Sequence, residues 1–201
     1  VIADHSGFIG DEEVYARLKQ VNTEDGSEVY RWVDPKLNLD NYNSVLIEDV
    51  TFFPAPQPNE QVSKEALDDI TTYTTLLLKR KIGDVIPLAE APGPGVLLIQ
   101  PAITGVAIKT QGMKPYEILP VAAVFGVAKA ATGNRAQDVY VRSEVKFIDS
   151  NSGELMGAAV RRIDGERLKG KKDQLELEDM QMNLDHSTTE AATFMEQVVT
   201  E

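Results

Sequence analysis

The chain has no cysteine among its 201 residues, which excludes disulfide cross-links and thiolate chemistry together. It has only two histidines, His5 and His186. No apolar run reaches the length of about 18 residues that a membrane-spanning helix requires. Positive charge is also scarce: 20 Lys and Arg stand against 32 Asp and Glu, a formal net charge of −12. Nucleic acid is therefore a poor partner, because phosphate binding needs a cationic surface that releases counterions. Anionic lipid headgroups are disfavoured for the same reason. With 42% hydrophobic residues, a chain of this length suits one sizeable core, a single domain with an elaborated edge.

The scarcity extends to recognisable chemistry. A serine or threonine nucleophile needs a neighbouring base, most often histidine, and no G-x-S-x-G elbow occurs. His5 and His186 read as solvated surface residues. There is no H-E-x-x-H, no Ca²⁺ loop and no cysteine cluster, so no metal or other cofactor is expected. The adjacent acids Glu48-Asp49 and Asp68-Asp69 diverge on a strand or a helix and read as solvated faces. Gly93-Pro94-Gly95 resembles a phosphate cradle, but such loops open helices, and here a strand follows. Pro92 and Pro94 also remove N–H donors, so a turn is the better reading.

What is present is an ordered series of elements. Residues 1–44 form a polar arm expected to lie over a core built from residues 45–201, with Phe8, Trp32 and Tyr42 as anchors. Asp11 is placed to cap a helix from Glu12 to about Lys19, and "EVYRWV" is a short strand. "SVLIEDVTFF" has the β-branched and aromatic content of a strand. Three prolines in "PAPQPN" end it. Ser63 caps a helix whose Leu67, Ile70 and Leu77 recur at helical spacing, closed by Gly83. The strand Val96 to about Ile108 carries Pro101, expected at a bulge or an exposed edge. Val121–Ala131 is a small-residue helix, either buried or a face for homodimerisation or partner binding.

In "QDVYVRSEVKFID" Val139, Val141, Val145 and Phe147 share one face, while Tyr140, Arg142, Glu144 and Lys146 face the other, expected to be solvent. "DSNSGE" turns this strand into its hairpin partner "LMGAAVRRID". An acidic helix from about Leu175 is expected to break near His186-Ser187-Thr188. The architecture is then α+β: a two-layer sandwich, its mixed β-sheet containing a βαβ unit and a C-terminal β-hairpin, with helices packed on the sheet. The basic run that supplies Arg161, Arg162, Arg167, Lys169, Lys171 and Lys172 is followed by 29 residues without Lys or Arg. It is either a loop neutralised by the acidic helix or a docking patch for an acidic partner.

Five phrases occur in one order: "SGFIGDEEVYARL", "WVDPKLNLDNYNSVLIEDVTFFP", "GPGVLLIQPAITGVAI", "AATG" and "VKFIDSNSGELMGAAVRRIDG". Together, over most of residues 6–165, they resemble a bacterial lipoprotein family known as domain of unknown function 3313. The C-terminal "LEDMQMNLDHSTTEAATFM" departs from it, standing where a tryptophan-bearing helix is expected. The resemblance implies a secreted precursor with a lipobox cysteine upstream, and the non-methionine start at Val1 fits that. It further implies a Gram-negative envelope location, periplasmic, with contact to the outer (or inner) membrane only through the N-terminal lipid anchor. It carries over no catalytic residue. The expected function is non-enzymatic binding of an envelope protein or other envelope component. The rivals are a small hydrolase with a carboxylate pair and a small-ligand carrier with a pocket near Trp32 and Phe8.

Overall fold

The computed structural model describes residues 5–23, 28–55, 63–110, 119–120, 137–164 and 177–200. The expected helix 121–131 and the basic residues Arg167, Lys169, Lys171 and Lys172 lie outside them. In chain order the elements are α1 Glu12–Ala16, β1 Lys19–Val21, β2 Val29–Val33, β3 Ser44–Ile47, β4 Thr51–Phe52 and α2 Lys64–Gly83. There follow β5 Val96–Thr110, β6 Leu119–Pro120, β7 Gln137–Asp149, β8 Leu155–Asp164 and α3 Glu178–Thr200.

The strands form one mixed sheet in the order β1-β2-β8-β7-β5-β3, with β4 and β6 also paired to β5. The expected βαβ unit is β3-α2-β5, whose strands run parallel in the register Ser44↔Val96 to Ile47↔Ile99. The expected hairpin is β7-β8, antiparallel. Its turn is built by Asp149, whose Oδ1 accepts from the N–H groups of Asn151 and Ser152 at 3.0 and 2.9 Å. Gly153 at φ 79° completes it. The Gly93–Gly95 stretch is indeed a turn. Gly95 takes φ 76°, and Ser150 both accepts from Gly93 N–H and donates to Val96 O, tying the loop to the hairpin.

α2 and α3 cover one face of the sheet. Their apolar residues merge with those of β3, β5 and β7 into two clusters, one around Leu67, Ile103 and Leu184, the other around Ile82, Leu97 and Met195. The arm covers the opposite face, where Ile9, Tyr15 and Leu18 pack on Ala158 and Val160 of β8.

Four local expectations require correction. Helix α1 ends at Ala16, because Lys19 already pairs with Arg31 in the sheet. "SVLIEDVTFF" splits into β3 and β4, because the Val50 N–H leaves the ladder to bond Thr75 Oγ1 on α2 at 2.9 Å. The register runs unbroken through Pro101↔Val145, and the irregularity sits at Thr104, between Ile103 and Gly105. Helix α3 is continuous through residues 186–188. Ser187 and Thr188 bond back to Leu184 O within the helix, so their hydroxyls do not break it.

Candidate functional site

Two polar assemblies sit on opposite faces of the sheet. On the arm face, Arg142 and Glu144 are 3% and 1% exposed, so the expectation that this side of β7 meets solvent is overturned. The arm supplies what the strand pattern could not reveal. Ser6 Oγ donates to Glu144 Oε2 at 2.6 Å, and Tyr15 Oη donates to Glu144 Oε1 at 2.5 Å. Ile9 N–H in turn donates to Tyr15 Oη at 3.1 Å. Asp11 fixes α1, and so Tyr15, by accepting from the N–H groups of Glu13 and Val14.

Arg142 Nε lies 3.5 Å from Glu144 Oε2 and donates to Thr104 Oγ1, while its Nη2 donates to Thr104 O. The irregularity at Thr104 thus supplies the acceptors that let the guanidinium stay buried. Burial, followed by the bond to Glu144, pushes the Tyr15 phenol up to about 12. His5 stacks on Tyr15 at 3.7 Å and reaches Glu12 Oε1 at 3.1 Å. Its side chain is only 16% exposed, so it is not the solvated histidine expected; His186 is exposed.

On the helix face, Arg31 Nη2 donates to Glu190 Oε1 at 3.0 Å and Arg161 Nη2 to Glu190 Oε2. Arg31 also lies over the Phe194 ring, 3.8 Å from its centroid. Burial holds the Arg31 guanidinium below its usual pKa. Beside these groups is a cavity of about 100 Å³ between the sheet and both helices.

The sequence accounts for the cavity. Across the sheet, Arg31 pairs with Ala159, Ala159 with Val145, and Val145 with Pro101. In the next row, Arg161 pairs with Ser143 and Ser143 with Ile103. The small side chains at the middle of these rows face Ser187, Thr188 and Ala191 of α3 and Thr74 of α2 around the cavity. The two core clusters meet across this gap without filling it.

Of the six basic residues singled out in the sequence, Arg161 is joined to α3 through Glu190 and Ser187 O. Arg162 sits 4.0 Å from Glu28. Phe8 and Trp32 pack into the arm-side cluster, with Lys146 over Phe8 and Arg17 over Trp32, whereas the cavity described above lies on the other side of the sheet. Glu144 is the one acid in the cavity lining, and its carboxylate is engaged by Ser6 and Tyr15. Among the described residues, no group of three or more His, Cys, Asp or Glu is placed to hold a metal ion. No described helix is long and apolar enough to cross a membrane.

A family model matches residues 4–190; its description is "Protein of unknown function (DUF3313)". The chain belongs to the DUF3313 family. This DUF3313 chain is 33% identical over 190 residues to the uncharacterized lipoprotein YdcL of Escherichia coli K12, covering 94% of this chain and 84% of YdcL. It is also similar to the PelC dodecamer subunit of Paraburkholderia phytofirmans, at 11% identity and TM-score 0.38, over 86% of this chain and 96% of that one. A PDZ domain protein from Parabacteroides distasonis gives 11% identity and TM-score 0.42, over 83% of this chain and 35% of that one. At these scores the two structural likenesses establish no shared fold.

Proposed function

We propose that this DUF3313 chain is the globular part of a membrane-anchored envelope lipoprotein that binds an envelope component without transforming it. The lipoprotein assignment is supported by family membership and by the name of the relative YdcL. The observation that carries the binding reading is the apolar cavity between sheet and helices, with Arg31 and Arg161 in its lining. The buried ionisable groups around it act as fasteners: Glu144 holds the arm, and Glu190 holds α3 to β2 and β8. A hydrolytic dyad would instead need two carboxyl groups about 5–10 Å apart, facing substrate. A largely preformed, mostly apolar hollow with a few polar groups is the usual form of a small-ligand site. Native mass spectrometry of the protein isolated from its own envelope tests this reading. The expected result is a bound small molecule that the cavity-filling variant Ala191→Leu does not retain. The bare mass alone for the native chain contradicts it.

The second reading is protein docking on the basic segment from Arg161 to Lys172, which the charge run supports. With Arg161 joined to α3, that surface rests on Arg162, Arg167, Lys169, Lys171 and Lys172. Reversing the charge of Arg167, Lys169 and Lys171 together should abolish crosslinked capture of an acidic envelope protein. Unchanged capture removes the segment from consideration.

A further inference from the structure

The lining of the cavity combines two chemistries that narrow what it can hold. Ile99, Phe147 and Met195 supply hydrocarbon, and all are buried. Arg31, whose side chain is 12% exposed, supplies a positive charge. A guanidinium has five N–H donors. Among the described residues, Arg31 donates to Glu190 and lies over the face of Phe194. A half-buried arginine that lines a hollow with donors beyond those two contacts is set up to receive a carboxylate, the planar acceptor that matches its fork.

Size sets the other limit. A hollow of about 100 Å³ is smaller than the cavity of ~150 Å³ that accommodates benzene. A full lipid chain therefore does not fit, whereas a few methylene groups do.

Resting on the cavity reading given above, we infer that the site takes a short-chain alkyl carboxylate. Its tail lies between Ala159 of β8 and Ala191 of α3, and its head is on Arg31. Glu190 stays where it is, and the ligand adds a second acceptor to Arg31. The cavity alone would not discriminate between a neutral and an anionic head; Arg31 would.

The test is calorimetric titration of the full chain with butanoate and, as its neutral counterpart, 1-butanol. The native protein is expected to bind butanoate more tightly. Arg31→Gln should weaken butanoate by about tenfold or more, the loss of one charge-assisted bond, while leaving 1-butanol within about twofold. Ala191→Leu should remove binding of both. Should Arg31→Gln not fold, Glu190→Gln carries the test. Removing the competing carboxylate tightens butanoate several-fold, and unchanged or weaker binding overturns the head assignment. Equal binding of butanoate and 1-butanol, or insensitivity to Arg31→Gln, overturns the carboxylate while the cavity reading stands. Failure of both ligands to bind the native chain marks the hollow as a packing void and overturns both.

Discussion

The two faces of strand β7 bury polar groups in opposite ways. Toward the arm, Glu144 and Arg142 are sealed in, with Ser6, Tyr15 and Thr104 as partners within hydrogen-bonding distance. Toward the helices, Ser143 and Val145 leave room, and the arginines beside them share the Glu190 carboxylate of α3 next to an apolar hollow. A closed network of charges adds rigidity, because opening it strands a buried ion. An under-filled apolar gap lowers stability and leaves space for a guest. One strand thus separates a clamp from a cavity, and the two sides should answer differently to mutation, pH and ligand.

The largest expected effect is on the clamp. Glu144→Gln removes the buried carboxylate that Ser6 and Tyr15 bond and that Arg142 faces, and should cost about 3 kcal/mol in urea unfolding. The same variant should release residues 6–18 to faster amide exchange while leaving α2 and α3 protected.

Next is Tyr15→Phe, expected to cost about 1–2 kcal/mol through the stranded Glu144 oxygen. Its pH signature is distinct. The Tyr15 phenol is raised to about 12, so its contribution is complete below the ordinary value of 10.0 and is lost as pH rises through about 12. Tyr42 is raised to about 12 as well, by burial and by Asp149. Alkaline melts of Tyr15→Phe should therefore keep a shallower loss across this window than the native chain.

On the cavity side the sign reverses. Ala191→Leu should raise stability by about 1 kcal/mol in the same denaturant series, since it fills space without displacing a hydrogen bond. A loss there would mean that the hollow is too rigid to accept a branched side chain. The smallest effect is Asp149→Asn in the hairpin turn. The Ser152 N–H and Tyr42 hold the Asp149 carboxyl below its ordinary 3.8, so its stabilisation is present above that value. It is lost as pH falls through the lower folded pKa, and the variant should flatten the acid limb of a pH-stability curve.

Much of the scaffold could be read from local chemistry. Ser63 does cap α2, its Oγ accepting from Ala66 N–H at 3.0 Å, and Asp11 does cap α1. Val-rich alternation located β7, and "DSNSGE" located the turn after it. These signals live within a few residues of the features they specify. The clamp does not. The bonds from Ser6 and Tyr15 to Glu144 span 138 and 129 residues, and an alternating strand looks alike whether water or a remote arm covers its polar side. The cavity was hidden for a related reason. Ser187 and Thr188 suggested a helix break, while their actual role, small side chains opposite Ala159 and Ser143, depends on how α3 lies on the sheet.

The contrast between the faces is tested most directly by mapping amide chemical shifts during a butanoate titration of the full chain. The account predicts that shifts concentrate at Arg31, Ser143, Ala159, Ala191 and Phe194, with Ser6, Ile9 and Tyr15 unmoved. Perturbations centred on the arm, or none at saturating butanoate, would contradict it.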